Sequence, residues 1–360
     1  MNKKPLRLGC IGAGNIGRNV HIPGVVSSPD LELAALCDAD ADSLQSAAAA
    51  YGIGDAWCFT GYNDLINCKD VDVVDICTPN DSHYAIAKAA IAAGKPYCLE
   101  KPVAFNVTEA DELVRLTAEK KLPNMVCFSY RFKASARYAR YLVRSGAIGE
   151  IRHIYMQYFF GVNPPRPYQW RQQKDRAGTG IVSDLGCHAV DMTRFITGCE
   201  FKRAVGMLGT YIKEKPLKDG SGMGKVEVDD YAHFMAYMDN GAAASYQLTM
   251  NAYGHFNFQR FEFYGTRGGI IYIQNHELKY TSGEDKDEIY VCAGEPYASA
   301  YRYAELPVPA QYQGDQMQSF ADLVNGRGDG LAATIQEGRD AQYVIDKVIE
   351  STKTGSWADL

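Results

Sequence analysis

Over roughly the first 125 residues, short apolar runs alternate with Ala-rich stretches of helical period, the pattern of a parallel sheet wound on both faces by helices. Strands are predicted at 6–12, 31–37, 57–59, 71–77, 96–99 and 124–128, and helices at 40–51, 81–93 and 108–121, the last opened by Thr108 with Glu109 and Asp111 in its first turn. Beyond about residue 150 the period changes. Apolar stretches at 151–158, 201–212, 226–239, 242–252, 258–265 and 269–273 follow one another without intervening helices, which predicts a large, mostly antiparallel sheet. Polar, Gly-rich stretches at 214–225 and 282–288 read as exposed loops, and 311–352 returns to a helical period. The pattern divides the chain into a doubly wound α/β domain over 1–125 and an α+β domain over 126–360.

Composition narrows the partners. A length of 360 residues makes two cores the default expectation. The balance of 37 basic against 43 acidic residues speaks against nucleic acid or an anionic membrane and toward a small molecule. Ten cysteines without a C-x-x-C pair read as reduced core residues, so no disulfide framework and no metal site are expected. No signal-peptide pattern and no run of eighteen apolar residues is visible, so the expectation is a cytoplasmic protein with no membrane span.

The chemistry begins where the first strand runs into Gly12-Ala13-Gly14-Asn15-Ile16-Gly17, a G-x-G-x-x-G turn that opens a helix. In that context the glycines allow a tight turn, a close backbone approach to a pyrophosphate and close helix–strand packing, which makes the domain a Rossmann-type dinucleotide site. Asp38 ends the second strand, where a carboxylate accepts hydrogen bonds from ribose hydroxyls and repels a 2′-phosphate, so NAD is expected over NADP. Asp38 could equally cap the helix that starts near residue 40. Thr78, Pro79 and Asn80 follow the fourth strand at its carboxyl end, beside the cofactor. His83 lies early in the next helix, in a cofactor-contacting, capping or surface role. Glu100-Lys101-Pro102 ends the fifth strand, and Pro102 keeps the residue before it extended. Lys101 either reaches the nicotinamide region, where it can bond a substrate oxygen, or pairs with Glu100 at the surface. In the second domain, a helix from about 183 would place Asp184, His188 and Asp191 along one face, where a carboxylate can orient an imidazole general base. The other reading is an acidic cap beside a satisfied histidine. The aromatic, proline-rich loop 159–171, with Tyr168 and Trp170, has the composition of the border of a sugar site.

Taken in order, these motifs resemble the glucose-fructose oxidoreductase and inositol dehydrogenase family (Gfo/Idh/MocA), and the resemblance covers essentially the whole chain. It rests on Gly12 to Gly17, Asp38, Thr78 to His83, Glu100 to Pro102, Arg131-Phe132 and Asp184 to His188, with Val228 to Tyr231 and Phe263 to Gly268 as further phrases. The resemblance implies that Lys101, Asp184 and His188 work together at the nicotinamide. Arg131 is expected to join them at the substrate, with Tyr168 and Trp170 from the loop of sugar-site composition, while Asp191 either contacts substrate hydroxyls or is a structural helix residue; the resemblance also implies homo-oligomers, dimers or tetramers. The expected activity is NAD-dependent oxidation of a secondary ring hydroxyl of a cyclitol, sugar or glycoside. The rivals are a redox-neutral, NAD-assisted glycoside-cleaving enzyme or lyase and a non-catalytic NAD-sensing regulator.

Overall fold

The computed structural model describes residues 4–161, 166–274, 288–293 and 304–360. It resolves into two compact units: Met1–Ser129 with Asp315–Arg339, and Tyr130–Gly314 with Asp340–Leu360.

In the first unit, six strands, β1 (Leu6–Ile11), β2 (Leu31–Cys37), β3 (Cys58–Phe59), β4 (Val73–Ile76), β5 (Tyr97–Leu99) and β6 (Asn124–Val126), form a sheet in the order β3-β2-β1-β4-β5-β6. Every pairing is parallel. Helices cover both faces, so Leu8, Leu36, Val74 and Ile76 are wholly buried and the strands read as continuous apolar runs rather than alternations. The order reverses between β1 and β4, which places a ligand crevice beyond their carboxyl ends. The helix Val107–Lys120 starts one residue before Thr108, because Asn106 is its cap and accepts from the Glu109 N–H at 3.0 Å. Residues 315–339 return to this unit. The Val126 N–H bonds Ala333 O at 2.8 Å, Ile335 N–H bonds Asn124 Oδ1 at 2.7 Å, and Phe320 is fully buried.

In the second unit the strands are β7 (Ile151–Phe159), β8 (Phe201–Gly209), β9 (Glu214–Pro216), β10 (Met223–Lys225), β11 (Tyr231–Met238), β12 (Ala243–Thr249), β13 (Phe258–Gly265), β14 (Gly268–Gln274), β15 (Glu288–Ala293), β16 (Ala304–Glu305) and β17 (Ala358–Asp359). Nine of them form one sheet in the order β16-β15-β14-β13-β7-β12-β11-β8-β17, antiparallel throughout except for β7 with β12. Period-two alternation sends Phe234, Tyr246, Phe261, Phe263 and Tyr272 to a buried face and leaves Tyr155, Met207, Met235 and Tyr237 exposed on the other. The Gly186–Thr197 helix is buried along its length except at Arg194. The 214–225 stretch is a β9–β10 hairpin rather than a plain loop, since its polar tip hides a short antiparallel pairing. Of the other expected loop, 282–287 lies outside the described residues and Glu288 opens β15. The helical stretch at 311–352 resolves into Gln316–Val324 and Ile335–Thr354, broken at the glycines near 326–330. Among the described residues, no helix is long and apolar enough to cross a membrane.

The buried ring of Phe320 is one of the contacts that hold the returning segment to the first unit. Phe320→Ala is expected to lower stability by about 3–5 kcal/mol, read from urea unfolding; a loss below about 1 kcal/mol would show that the segment is held by its hydrogen bonds alone.

Candidate active site

The glycine turn has the backbone its spacing predicts. Gly12 has φ +104°, and a Cβ there would stand 2.7 Å from the Cys77 carbonyl; one on Gly17 would strike Gly12 O. A Cβ on Gly14 would meet nothing within 4 Å, leaving that backbone open to a pyrophosphate. A helix runs from Asn15 to Ser27 and carries a wide turn in which the Ile22 N–H reaches Gly17 O. Pro23, which lacks an N–H, follows directly. Asp38 holds the turn: its Oδ2 accepts from Ala13 N–H at 2.7 Å and its Oδ1 from Asp40 N–H at 2.9 Å. Asp38 is not the helix cap; Asp40 is, through Ser43 N–H at 2.7 Å. A carboxylate has further lone pairs beyond these two bonds, so the ribose-facing role remains open to it.

The loops after β4 and β5 are tied together by His83. It is fully buried rather than at the surface, with Nε2 2.8 Å from Thr78 O and Nδ1 2.7 Å from Pro102 O. Burial pushes its pKa down, against the two carbonyls. Pro79 caps the Asn80–Ala92 helix, and Thr78 Oγ1 accepts from the Ser82 hydroxyl at 2.8 Å. Lys101 follows Glu100, whose Oε2 accepts from the Lys101 backbone N–H at 3.1 Å, and the Lys101–Pro102 peptide is cis.

Behind these loops lies a charged cluster that the motifs did not announce. His21 and Asp75 have no solvent exposure. His21 Nδ1 lies 3.0 Å from both Asp75 oxygens and its Nε2 lies 2.9 Å from Glu100 Oε1. Although burial opposes it, the two carboxylates raise the His21 pKa well above its ordinary value. Asp75 is likewise opposed by burial yet held below the usual carboxylate range by His21 and by the thiols of Cys98 at 3.0 Å and Cys77 at 3.3 Å. Those two thiols are pushed far up by burial, so they donate to Asp75 as protonated groups.

In the second unit the helix expected from 183 is broken. It forms Ile181–Asp184 and Gly186–Thr197 with a turn at Leu185, so Asp184 and His188 stand on different pieces. Asp229 secures the first piece by accepting from Gly180 N–H and Val182 N–H, each at 2.7 Å. Gly180 lies so close to the Asp229 backbone that no side chain fits there. Burial raises the Asp229 pKa against those two bonds. His188 is 5 % exposed, and its ring centroid lies 4.5 Å from that of Tyr130. The Tyr130 hydroxyl meets the Tyr158 hydroxyl at 2.5 Å, and both bond Asn257 Oδ1, at 3.1 and 2.6 Å. Burial, then the Tyr130 phenol and Asp184, push Tyr158 above its ordinary range.

Arg131 and Asp191 meet each other rather than open solvent. Both are buried, with Nε 2.9 Å from Oδ2 and Nη2 2.6 Å from Oδ1, and Arg131 lies over the Phe195 ring. The pair therefore has a structural task, anchoring the Gly186–Thr197 helix. Tyr168 lies against Gly224 of β10 and its N–H bonds Pro216 O at 2.8 Å, while Trp170 packs on Ala177, Val226 and Val228. Tyr168 thus lies against the β9–β10 hairpin and Trp170 against the residues that follow it; 162–165 of the expected loop lie outside the described residues.

A glycine turn at the switch point of a parallel sheet defines a dinucleotide-binding domain, in a chain whose second unit is built on a large, mostly antiparallel sheet. The chain belongs to the GFO/IDH/MocA oxidoreductase family: residues 6–128 match its NAD-binding Rossmann-fold domain and residues 136–271 its C-terminal domain. It is 29% identical to a levoglucosan dehydrogenase of Pseudarthrobacter phenanthrenivorans over 99% of this chain and 98% of that one. It is also 29% identical to an inositol 2-dehydrogenase of Rhizobium meliloti over 74% of each. A solved levoglucosan dehydrogenase in complex with NADH superposes with a TM-score of 0.87 at 28% identity, covering 99% of both chains. The family expectation is thereby met, and the chain is an NAD-dependent oxidoreductase of the sugar and polyol dehydrogenase kind.

The His21–Asp75 pair predicts a pH signature. The raised His21 value gives stability that is complete below its unfolded value of about 6.5 and is lost as pH rises through the folded value. The lowered Asp75 value gives stability present above about pH 3.9 and lost as pH falls through the folded value. Urea unfolding of the protein against an Asp75→Asn, His21→Gln double variant should show its largest difference between about pH 4 and 6.5, shrinking toward alkaline pH. A difference that grows toward alkaline pH would contradict the pairing.

Proposed function

We propose that the chain oxidises a secondary ring hydroxyl of a cyclitol, sugar or glycoside to a ketone, reversibly. The supporting observation is the end-to-end likeness to a protein named levoglucosan dehydrogenase, joined to the presence of Lys101, Asp184 and His188 in the family's order. Gly12, Gly14, Asn15, Ile16, Gly17, Asp38, Thr78, Pro79, Asn80, His83, Glu100 and Lys101 belong to the cofactor side of this reading. Bound NAD supplies the hydride acceptor, so the carbinol C–H and O–H bonds break as the C=O bond forms. The imidazole of His188 takes the hydroxyl proton and passes it to solvent, and Nζ of Lys101 donates a hydrogen bond to the same oxygen. Asp184 orients the substrate or the imidazole. Tyr168 and Trp170 border the sugar from their loop. The exposed sheet face with Tyr155, Met207, Met235 and Tyr237 is the surface through which chains would pair as homo-oligomers, and the cytoplasm is the proposed location.

The test is a panel of levoglucosan, myo-inositol, hexoses and aryl glucosides with NAD or NADP, reading NADH absorbance and product together. Turnover with NAD on at least one of them is expected, and silence across the panel would overturn the substrate class. Lys101→Ala and His188→Ala should each lower kcat by about 10²–10⁴ while the NADH dissociation constant stays within about threefold. Full activity in either variant would remove that residue from the mechanism.

A further inference from the structure

The proposed chemistry makes no use of His21, yet its ring bonds Glu100, the residue directly before Lys101. The register sets Cys10, Asp75 and Cys98 side by side on β1, β4 and β5, and His21 comes onto that row from the helix that follows the glycine turn. Both ring nitrogens face carboxylate oxygens, at 2.9–3.0 Å, with no exposure to water. A neutral imidazole would turn a lone pair toward one of those carboxylates, whereas an imidazolium donates to both.

We infer that His21 is a positioning residue for Lys101: held as an imidazolium between Asp75 and Glu100, it anchors the Glu100 carboxylate, and so fixes where Lys101 stands and how much negative charge its amine meets. The covalent path is short. Glu100 Oε1 accepts from His21 while Oε2 accepts from the Lys101 backbone N–H at 3.1 Å. Two carboxylates share one imidazolium, and Asp75, fully buried, claims it from the other side. Glu100, with 15% of its side chain exposed, carries the other carboxylate, on the residue next to Lys101. Among the described residues, the other titratable groups facing His21 and Asp75 are Cys127 after β6 and the thiols of Cys10, Cys77 and Cys98. Within the first unit, Lys101 also feels His83.

The catalytic consequence rests on the dehydrogenase reading, but the electrostatic coupling does not, and the experiment separates them. The full chain, with its histidine rings labelled with nitrogen-15, is titrated by NMR, and His21 is assigned by its response to Glu100→Gln. Its ring should keep the imidazolium pattern through about pH 8, well above an ordinary histidine. In parallel, competitive acetylation by acetic anhydride, read by mass spectrometry on the peptide containing Lys101, gives the titration midpoint of that amine without any substrate. His21→Gln removes a positive charge and should raise the midpoint by about one pH unit, and Glu100→Gln removes a negative charge and should lower it by a similar amount. Opposite shifts are something that loss of packing cannot imitate. If His21→Gln does not fold, the wild-type NMR titration and the Glu100→Gln midpoint still decide the matter. A neutral His21 ring at about pH 7, or a Lys101 midpoint unmoved by Glu100→Gln, overturns the inference. Opposite shifts with a silent sugar panel would uphold it and count against the dehydrogenase reading alone.

Discussion

A carboxylate that water cannot reach organises the first unit. Asp75 stands in the middle of β4 with apolar residues on either side of it in the strand, and an unanswered charge there would cost several kcal/mol. Its answer is His21, and the demand for His21 explains much of the local architecture. The helix that follows the glycine turn must bring that ring onto the sheet, and its wide turn at Gly17–His21 is where it does so. The second nitrogen of the ring then selects Glu100 and ties the end of β5 to the centre of the sheet. One buried charge thereby links the strand before the Thr78 loop, the helix after the dinucleotide turn and the strand that delivers Lys101.

The same economy of acids recurs at the other turns. Asp38 satisfies the Ala13 N–H of the glycine loop, Asp229 satisfies two N–H groups at the start of the Asp184 segment, and Asp230 accepts from Tyr211 and Ile212 at 2.9 and 2.8 Å. Each sits where a backbone leaves regular structure with donors that no strand or helix can pair. The turns that matter for function are therefore fixed by side chains that flank distant strands, which leaves their own residues available for chemistry.

That division explains what could be read from the chain. The glycine turn, the apolar strands and the change of period near residue 150 are local signals, and each corresponds to an observed element. Asp75 was in plain view inside a predicted buried strand, and an acid there requires a partner, but nothing local points to His21, 54 residues away. Asp229 and Asp230 were visible only as a phrase, because their work is done on Gly180, Val182 and residues 211–212. The Ala134–Arg144 helix carries arginines at 137, 140 and 144 that obscure its apolar stripe, although Arg137 is itself buried. The return of 315–339 to the first unit rests on the bridge to Val126, a few hydrogen bonds and the burial of Phe320, and periodicity along the segment does not say which unit receives it.

The break at Leu185 shows how the two kinds of acid differ. Continuous helix would have set Asp184 and His188 in the i,i+4 relation; instead Gly186, where a Cβ would come within 2.9 Å of Ile345, starts a new helix, and the position of Asp184 is inherited from Asp229. Asp229 has only backbone donors to offset its burial, so its pKa lies above the ordinary carboxylate value, whereas the imidazolium beside Asp75 holds that acid below it. As pH falls, the Asp229 hold on the Gly180–Asp184 segment loses its charge first, while Asp75 keeps its own. Asp75 is thus secured by charge against charge and Asp229 by charge against backbone, which makes the Gly180–Asp184 segment, the one that carries Asp184, the more acid-sensitive of the two.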